Sequence, residues 1–212
     1  MLKFTLIIFI FLNFFECFGN NAREDLIELK SSENLVFDIR YATTNNFFGK
    51  QLYVKPRVFI HKDMQINFNC ALKRATKFGY KIKIFDAWRP YEAQQLLWSQ
   101  KSDPNYVSHP ETGPCGHCRG MALDLTLVNA KTDIELDMGT DFDNFTEKAH
   151  HDTDLISDKQ LQNRIILSGL MSSCGFVAMR TEWWHYTHPD NRKKQKYTSE
   201  GLMQIYNIKN IN

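Results

Sequence analysis

GPCGHCRGMALDLTLV, residues 113–128, is the stretch whose reading decides the fold. Its Cys115-Gly116-His117-Cys118 core has the spacing of a redox-active dithiol. His117, followed seven residues later by Asp124 on an apolar run, has instead the spelling of half a metal site. What comes after Cys118 separates the two. A reactive cysteine pair of this kind needs a helix N-terminus, where the dipole stabilises a thiolate. Here Arg119 and Gly120 lead into strict alternation, with Met121, Leu123, Leu125 and Leu127 on one face and Ala122, Asp124, Thr126 and Val128 on the other. A strand therefore follows the motif, and a thiol-disulfide oxidoreductase lacks its required order. Asp124 is the only charged residue of that strand and points away from the leucines, so it is expected to line a cleft. Taken alone, His117 and Asp124 read equally well as a loop histidine and a surface carboxylate.

Outward from this strand, Leu35–Tyr41 alternates and reads as another, followed by an irregular segment rich in Asn. Residues 62–78 carry apolar side chains at helical spacing and stop at Gly79. YKIKIFDAW, residues 80–88, is a strand, after which Pro90 is predicted in the first turn of a helix, where its missing N–H does no harm. A polar excursion, residues 129–154, precedes a helix over residues 157–174, with Ser157 and Gln160 in capping-box positions and Gly175 just past its end. FVAMRTEWWHYTH, residues 176–188, reads as one or two strands. The pattern predicts an α+β fold, a single domain with an antiparallel sheet packed against helices.

The 212 residues are 43% hydrophobic and 24% charged, with a formal net charge of +2, too small to suggest a nucleic-acid or membrane-surface partner. Residues 1–19 read as a signal peptide: Lys3, then the apolar run 4–15, then Cys17-Phe18-Gly19 before the cleavage point. The domain is expected to be residues 20–212, exported to a periplasm or secreted, with no membrane partner once the signal is removed. Four cysteines remain, Cys70, Cys115, Cys118 and Cys174, whose pairing the sequence leaves open. Cys70 and Cys174 are expected as buried thiols on helices.

TEWWHYTH, residues 181–188, supplies the other half of a metal site. Glu182 and His185 are three apart, which an ideal strand would put on opposite faces, so a bulge or strand end is predicted there. Two histidines and an aspartate form a suitable three-ligand set for a zinc ion that keeps a fourth position for water. A neighbouring Glu outside that set is a natural general base.

These segments, together with Asp86-Ala87-Trp88-Arg89-Pro90, resemble the zinc D-alanyl-D-alanine dipeptidases related to bacterial D,D-carboxypeptidases. DIRYATTNNFFGK, MGTDFDNFTEKAHH and LQNRIILSGLMSSCGF add to the likeness, which runs in order over residues 35–188. The resemblance implies a fold of the D,D-peptidase, Hedgehog-like type, and one zinc ion per chain. It implies His117, Asp124 and His185 as zinc ligands, Glu182 as catalytic base, and Arg89 as the group that stabilises the oxyanion. Tyr41 and Asp143 would line the pocket for the free amino end of a small dipeptide substrate. The activity implied is hydrolysis of D-alanyl-D-alanine in cell-wall peptide turnover. The nearest alternative is a zinc D,D-carboxypeptidase acting on longer peptidoglycan stems, followed by a zinc-bearing binding module. One departure stands out. The family carries Ser-Ser-His-Ser-Arg-Gly where this chain has Cys115-Gly116-His117-Cys118-Arg119-Gly120, which bears on substrate preference and allows a local Cys115–Cys118 disulfide.

Overall fold

A computed structural model of the chain describes residues 22–194 and 196–198; the expected signal peptide lies outside them. The elements in chain order are α1 (Ala22–Asp25), β1 (Leu26–Leu29), β2 (Leu35–Phe37), β3 (Val58–His61), α2 (Gln65–Lys77), β4 (Tyr80–Asp86), α3 (Tyr91–Gln100), β5 (Ala122–Asn129), α4 (Asp158–Ser172), β6 (Val177–Met179) and β7 (Glu182–Thr187). Five strands form one sheet in the order β2-β4-β5-β7-β6, and β1 pairs with β3 in a second, two-stranded sheet. The α+β single domain is as expected. The sheet is not purely antiparallel, because β2 runs parallel to β4 while the other pairs are antiparallel.

β5 is the middle strand and is buried on both sides. Its alternation therefore separates two interiors rather than core from solvent: Leu123, Leu125 and Leu127 join the hydrophobic core, and Asp124 faces the opposite way. Helices α2 and α4 touch one another and pack on β4, β6 and β7. Ser157 accepts from the Gln160 amide while the Gln160 side chain accepts from the Ser157 amide, the predicted capping box. The 35–41 strand ends early, at Phe37, and a 3-10 turn at Arg40–Ala42 takes over. Pro90 is the N-cap of α3, one position before its first turn. The two-stranded sheet has no counterpart in the sequence reading, because LIEL is short and lies among charged residues.

Cys70 and Cys174 are not free thiols. They form a disulfide across 104 residues, tying α2 to the end of α4. Asn67 Nδ2 and Arg74 Nη1 reinforce the seam by donating to the carbonyls of Cys174 and Ser173. A second staple is Arg164 on α4, a buried guanidinium that donates to the carbonyls of Met138, His150 and Lys148 at 2.7–2.9 Å. Its pKa is pulled down to about 10 by burial. These bonds fix the 138–151 segment, irregular apart from a 3-10 turn at Glu147–Ala149, onto the helix.

Three consequences are measurable. Cys70→Ala/Cys174→Ala removes a long-range crosslink and is expected to cost about 2–5 kcal/mol, read as a lower urea midpoint; an unchanged midpoint contradicts the staple. Arg164→Met removes the guanidinium from three carbonyls, of which that of His150 keeps the Thr153 amide at 3.4 Å, and is expected to cost about 3 kcal/mol, with faster hydrogen exchange confined to residues 138–151. His151 has its pKa pulled from 6.5 to about 4 by burial and by the Arg164 charge. A folded-state pKa below the unfolded one means stability present above pH 6.5 and lost as pH falls through about 4. His151→Gln should therefore lose less stability than the parent across that window, by thermal melts at stepped pH.

Candidate metal centre

Two backbone irregularities build the site. In the β4–β5 ladder, Ile84 faces Leu125 but Asp86 faces Asp124, so Phe85 is an extra residue and β4 turns to bring Asp86 beside the central carboxylate. In the β6–β7 ladder, adjacent Ala178 and Met179 face Tyr186 and Glu182, leaving Trp183, Trp184 and His185 as a bulge. That is the irregularity the Glu182/His185 spacing demanded. Glu182 opens β7, and His185 sits directly across from Asp124 on β5. His117 arrives from a 3-10 turn just before β5, closed by Gly120 at φ 65°. No other residue suits that position, since a Cβ there would come within 2.9 Å of the His61 backbone nitrogen.

His117, Asp124 and His185 place their ligand atoms within 4.8 Å of one another. His117 Nε2 lies 3.1 Å from His185 Nδ1 and 3.2 Å from one Asp124 oxygen, and His185 Nδ1 lies 2.9 Å from the other. Tetrahedral zinc with nitrogen and oxygen ligands at about 2.0–2.2 Å requires donors roughly 3.3 Å apart, which these separations match. The outer partners fit too. The Ala87 carbonyl, 2.6 Å from His117 Nδ1, can only accept, so that nitrogen carries the proton and Nε2 keeps its lone pair for a metal. Thr187 Oγ1, 2.9 Å from His185 Nε2, leaves Nδ1 to face inward. Burial holds the His185 pKa down and favours the neutral, ligating imidazole. Burial alone would raise Asp124, but the two histidines, His117 foremost, keep it ionised well below the usual carboxylate range.

Glu182 is buried, with Oε2 3.8 Å from His185 Nδ1. Burial first, then the charges of Asp124 and Asp143, push its pKa well above normal. Arg89 is held by Asp86, which accepts from Nε at 2.9 Å and lies 2.8 Å from Nη2, and by Gln94, which accepts from Nη1 at 2.9 Å. The guanidinium also stands 3.6 Å from Asp124 and 5.2 Å above the Tyr41 ring. Tyr41 donates its hydroxyl to Asp143 at 2.9 Å, and Asp143 sits at φ 58°. Burial, and next the Asp124 charge, push Asp143 up to about 8.

All seven residues singled out from the sequence line one cleft of about 470 Å³. Several supporting groups were missed. Thr187 was legible, since it lies two residues from His185 on the same face of a strand. Gln94 and the Ala87 carbonyl left no signal, because their roles come from folding alone. His150 bonds through Nε2 to the Tyr106 hydroxyl at 3.0 Å and so joins the two loops that wall the cleft.

Residues 29–201 match the peptidase family M15 described as D-ala-D-ala dipeptidase. The chain is 36% identical over 156 residues to the D-alanyl-D-alanine dipeptidase of Escherichia coli K12, covering 74% of this chain and 80% of that one. It is 32% identical over 169 residues to the enzyme of that name from Enterococcus faecalis, covering 71% and 84%. With the Streptomyces coelicolor enzyme of the same name it shares 32% over 178 residues, covering 73% and 88%. A match over most of the chain, on a fold that gathers this cleft, makes the protein a member of the D-ala-D-ala dipeptidase family.

Proposed function

We propose that the chain hydrolyses D-alanyl-D-alanine to two molecules of D-alanine, with one zinc ion held by His117, Asp124 and His185. The observation that carries this reading is the convergence of those three ligands, at separations suited to tetrahedral zinc, beside a buried carboxylate and a fixed guanidinium. Zinc at such a site supplies a Lewis acid that lowers the pKa of water and polarises a carbonyl.

Glu182 takes a proton from the attacking water and returns it to the leaving amine. A divalent cation beside it favours the ionised form that this step needs, opposing the burial that raises its pKa. Arg89 stabilises the charge that develops on the scissile carbonyl oxygen. Asp86 and Gln94 fix its orientation beforehand, so little reorganisation accompanies the reaction. Asp143, positioned by Tyr41, faces the substrate ammonium, and that positive charge draws the carboxyl back to its ionised form. A blocked N-terminus would bring no such charge, so the cleft favours a free dipeptide over an acylated stem.

We assign the fold to the D,D-peptidase, Hedgehog-like type. We also propose that the mature chain acts outside the cytoplasm, in cell-wall peptide turnover; the signal-like pattern of residues 1–19 and two disulfides that suit an oxidising compartment support this reading.

The test is release of free D-alanine from D-alanyl-D-alanine, with and without a zinc chelator. Chelator-sensitive release is expected, with far slower turnover of an N-acylated tripeptide; the reverse preference would make the chain a carboxypeptidase. Glu182→Gln should lower kcat by about 10²–10⁴-fold with zinc still bound, and full activity in that variant would remove Glu182 as the base.

A further inference from the structure

The segment that departs from the family pattern is also the one that carries a metal-ligand candidate. Cys115 and Cys118 form a disulfide that straddles His117, and both are buried. Cys115 has φ 20°, a backbone conformation that an uncrosslinked L-residue seldom holds. The turn it closes is anchored on both sides, since the His117 carbonyl accepts from the Arg89 amide at 3.1 Å and the Cys118 carbonyl from the Tyr197 amide at 2.8 Å. Gly116, inside the crosslink, lies close to Ala122 of β5 and Thr187 of β7, with no room for a side chain. A Cβ at that position would lie 2.9 Å from the Ala122 Cβ and 3.2 Å from Thr187 Cγ2. Thr187 is the residue whose hydroxyl holds His185 Nε2. The crosslinked turn therefore contains one histidine and buttresses the group that orients the other.

We infer that the Cys115–Cys118 disulfide is a positioning element for both histidines, so that the redox state of this pair sets the metal affinity of the site. The inference rests on the metal site proposed above and concerns its regulation. The reductant is an external dithiol reaching the pair from the cleft, which Cys115 lines. Its thiolate attacks one sulfur of the pair, the Cys115–Cys118 bond breaks, and a mixed disulfide forms. The second thiol resolves that intermediate. Two electrons and two protons pass to the cysteines, which leave as thiols, and the reductant leaves as its own disulfide. The turn then keeps its backbone anchors but loses the covalent restraint on either side of His117, and the close fit of Gly116 beside Thr187 loosens. Outer groups that orient metal ligands typically set affinity by about 10–100-fold.

The experiment is zinc competition against a chromophoric chelator. It compares the oxidised chain, the chain reduced with a phosphine that is removed before measurement, and Cys115→Ser/Cys118→Ser. Serine is what the family pattern carries at both positions, so the double variant is expected to fold. Zinc binding should weaken at least about tenfold on reduction and equally in the double variant. Reductant should then have no further effect on that variant, although it still opens Cys70–Cys174. Thr187→Val should weaken binding, and Thr187→Ser, which restores the hydroxyl, should recover it. Unchanged affinity in both the reduced chain and the double variant overturns the inference, as does tighter binding on reduction, which would make the thiolates ligands. Loss of zinc in His117→Ala, with binding intact in the oxidised parent, tests the underlying site separately. An oxidised parent that binds no zinc overturns that site and the inference with it.

Discussion

A concentration of carboxyl groups in a small volume is the constraint around which this molecule is arranged. Asp124, Asp143 and Glu182 line one cleft together with the Arg89 guanidinium, and the buried Asp86 holds Arg89 in place. Burial first, and then the neighbouring carboxylates, Asp124 foremost, raise the pKa of Asp143 and Glu182. Among the described residues, Arg89 is the only lysine or arginine that lines the cleft. On the function proposed above, a divalent cation and a substrate ammonium are the charges that would restore these carboxyls to their ionised form. The sheet makes the arrangement tolerable by placing Asp124 between two histidines in its middle strand, where their nitrogens hold it ionised.

Geometry of that order needs departures from a regular sheet. An unbroken β4 would carry Asp86 past Asp124, and an unbulged β7 would send Glu182 and His185 to opposite faces. The regular parts of the sheet supply rigidity, and the irregular parts supply aim. Arg164 extends the same economy to a segment with little regular structure, since three carbonyls on one guanidinium replace the ladder that residues 138–151 lack.

Legibility in the sequence followed physical locality. The alternation of residues 121–128 identified β5, and the lone charge on it marked Asp124. The awkward spacing of Glu182 and His185 predicted a bulge or a strand end, because an unbroken period of two sends them to opposite faces, and the structure has the bulge. The capping box of α4 and the helix ending at Gly79 are local events and were equally readable. What escaped notice depends on distant partners. β2 lies parallel to β4 for reasons no local pattern holds, and β1 becomes a strand only because β3 is beside it. Cys70 and Cys174 are separated by 104 residues, so their meeting is a property of the packed helices. Gln94 earns its place only once Arg89 has been folded against it.

The Cys70–Cys174 bridge has a consequence for how this chain tolerates damage. The span it closes includes β4, α3, β5 and both loops that wall the cleft. A protease that cuts once inside this span leaves two fragments joined covalently through α2 and the end of α4. His117 and Asp124 then stay within reach of His185 whichever loop is nicked. Exposed loops in a hydrolytic environment become less of a liability, since scission there opens the polypeptide without releasing a piece of it.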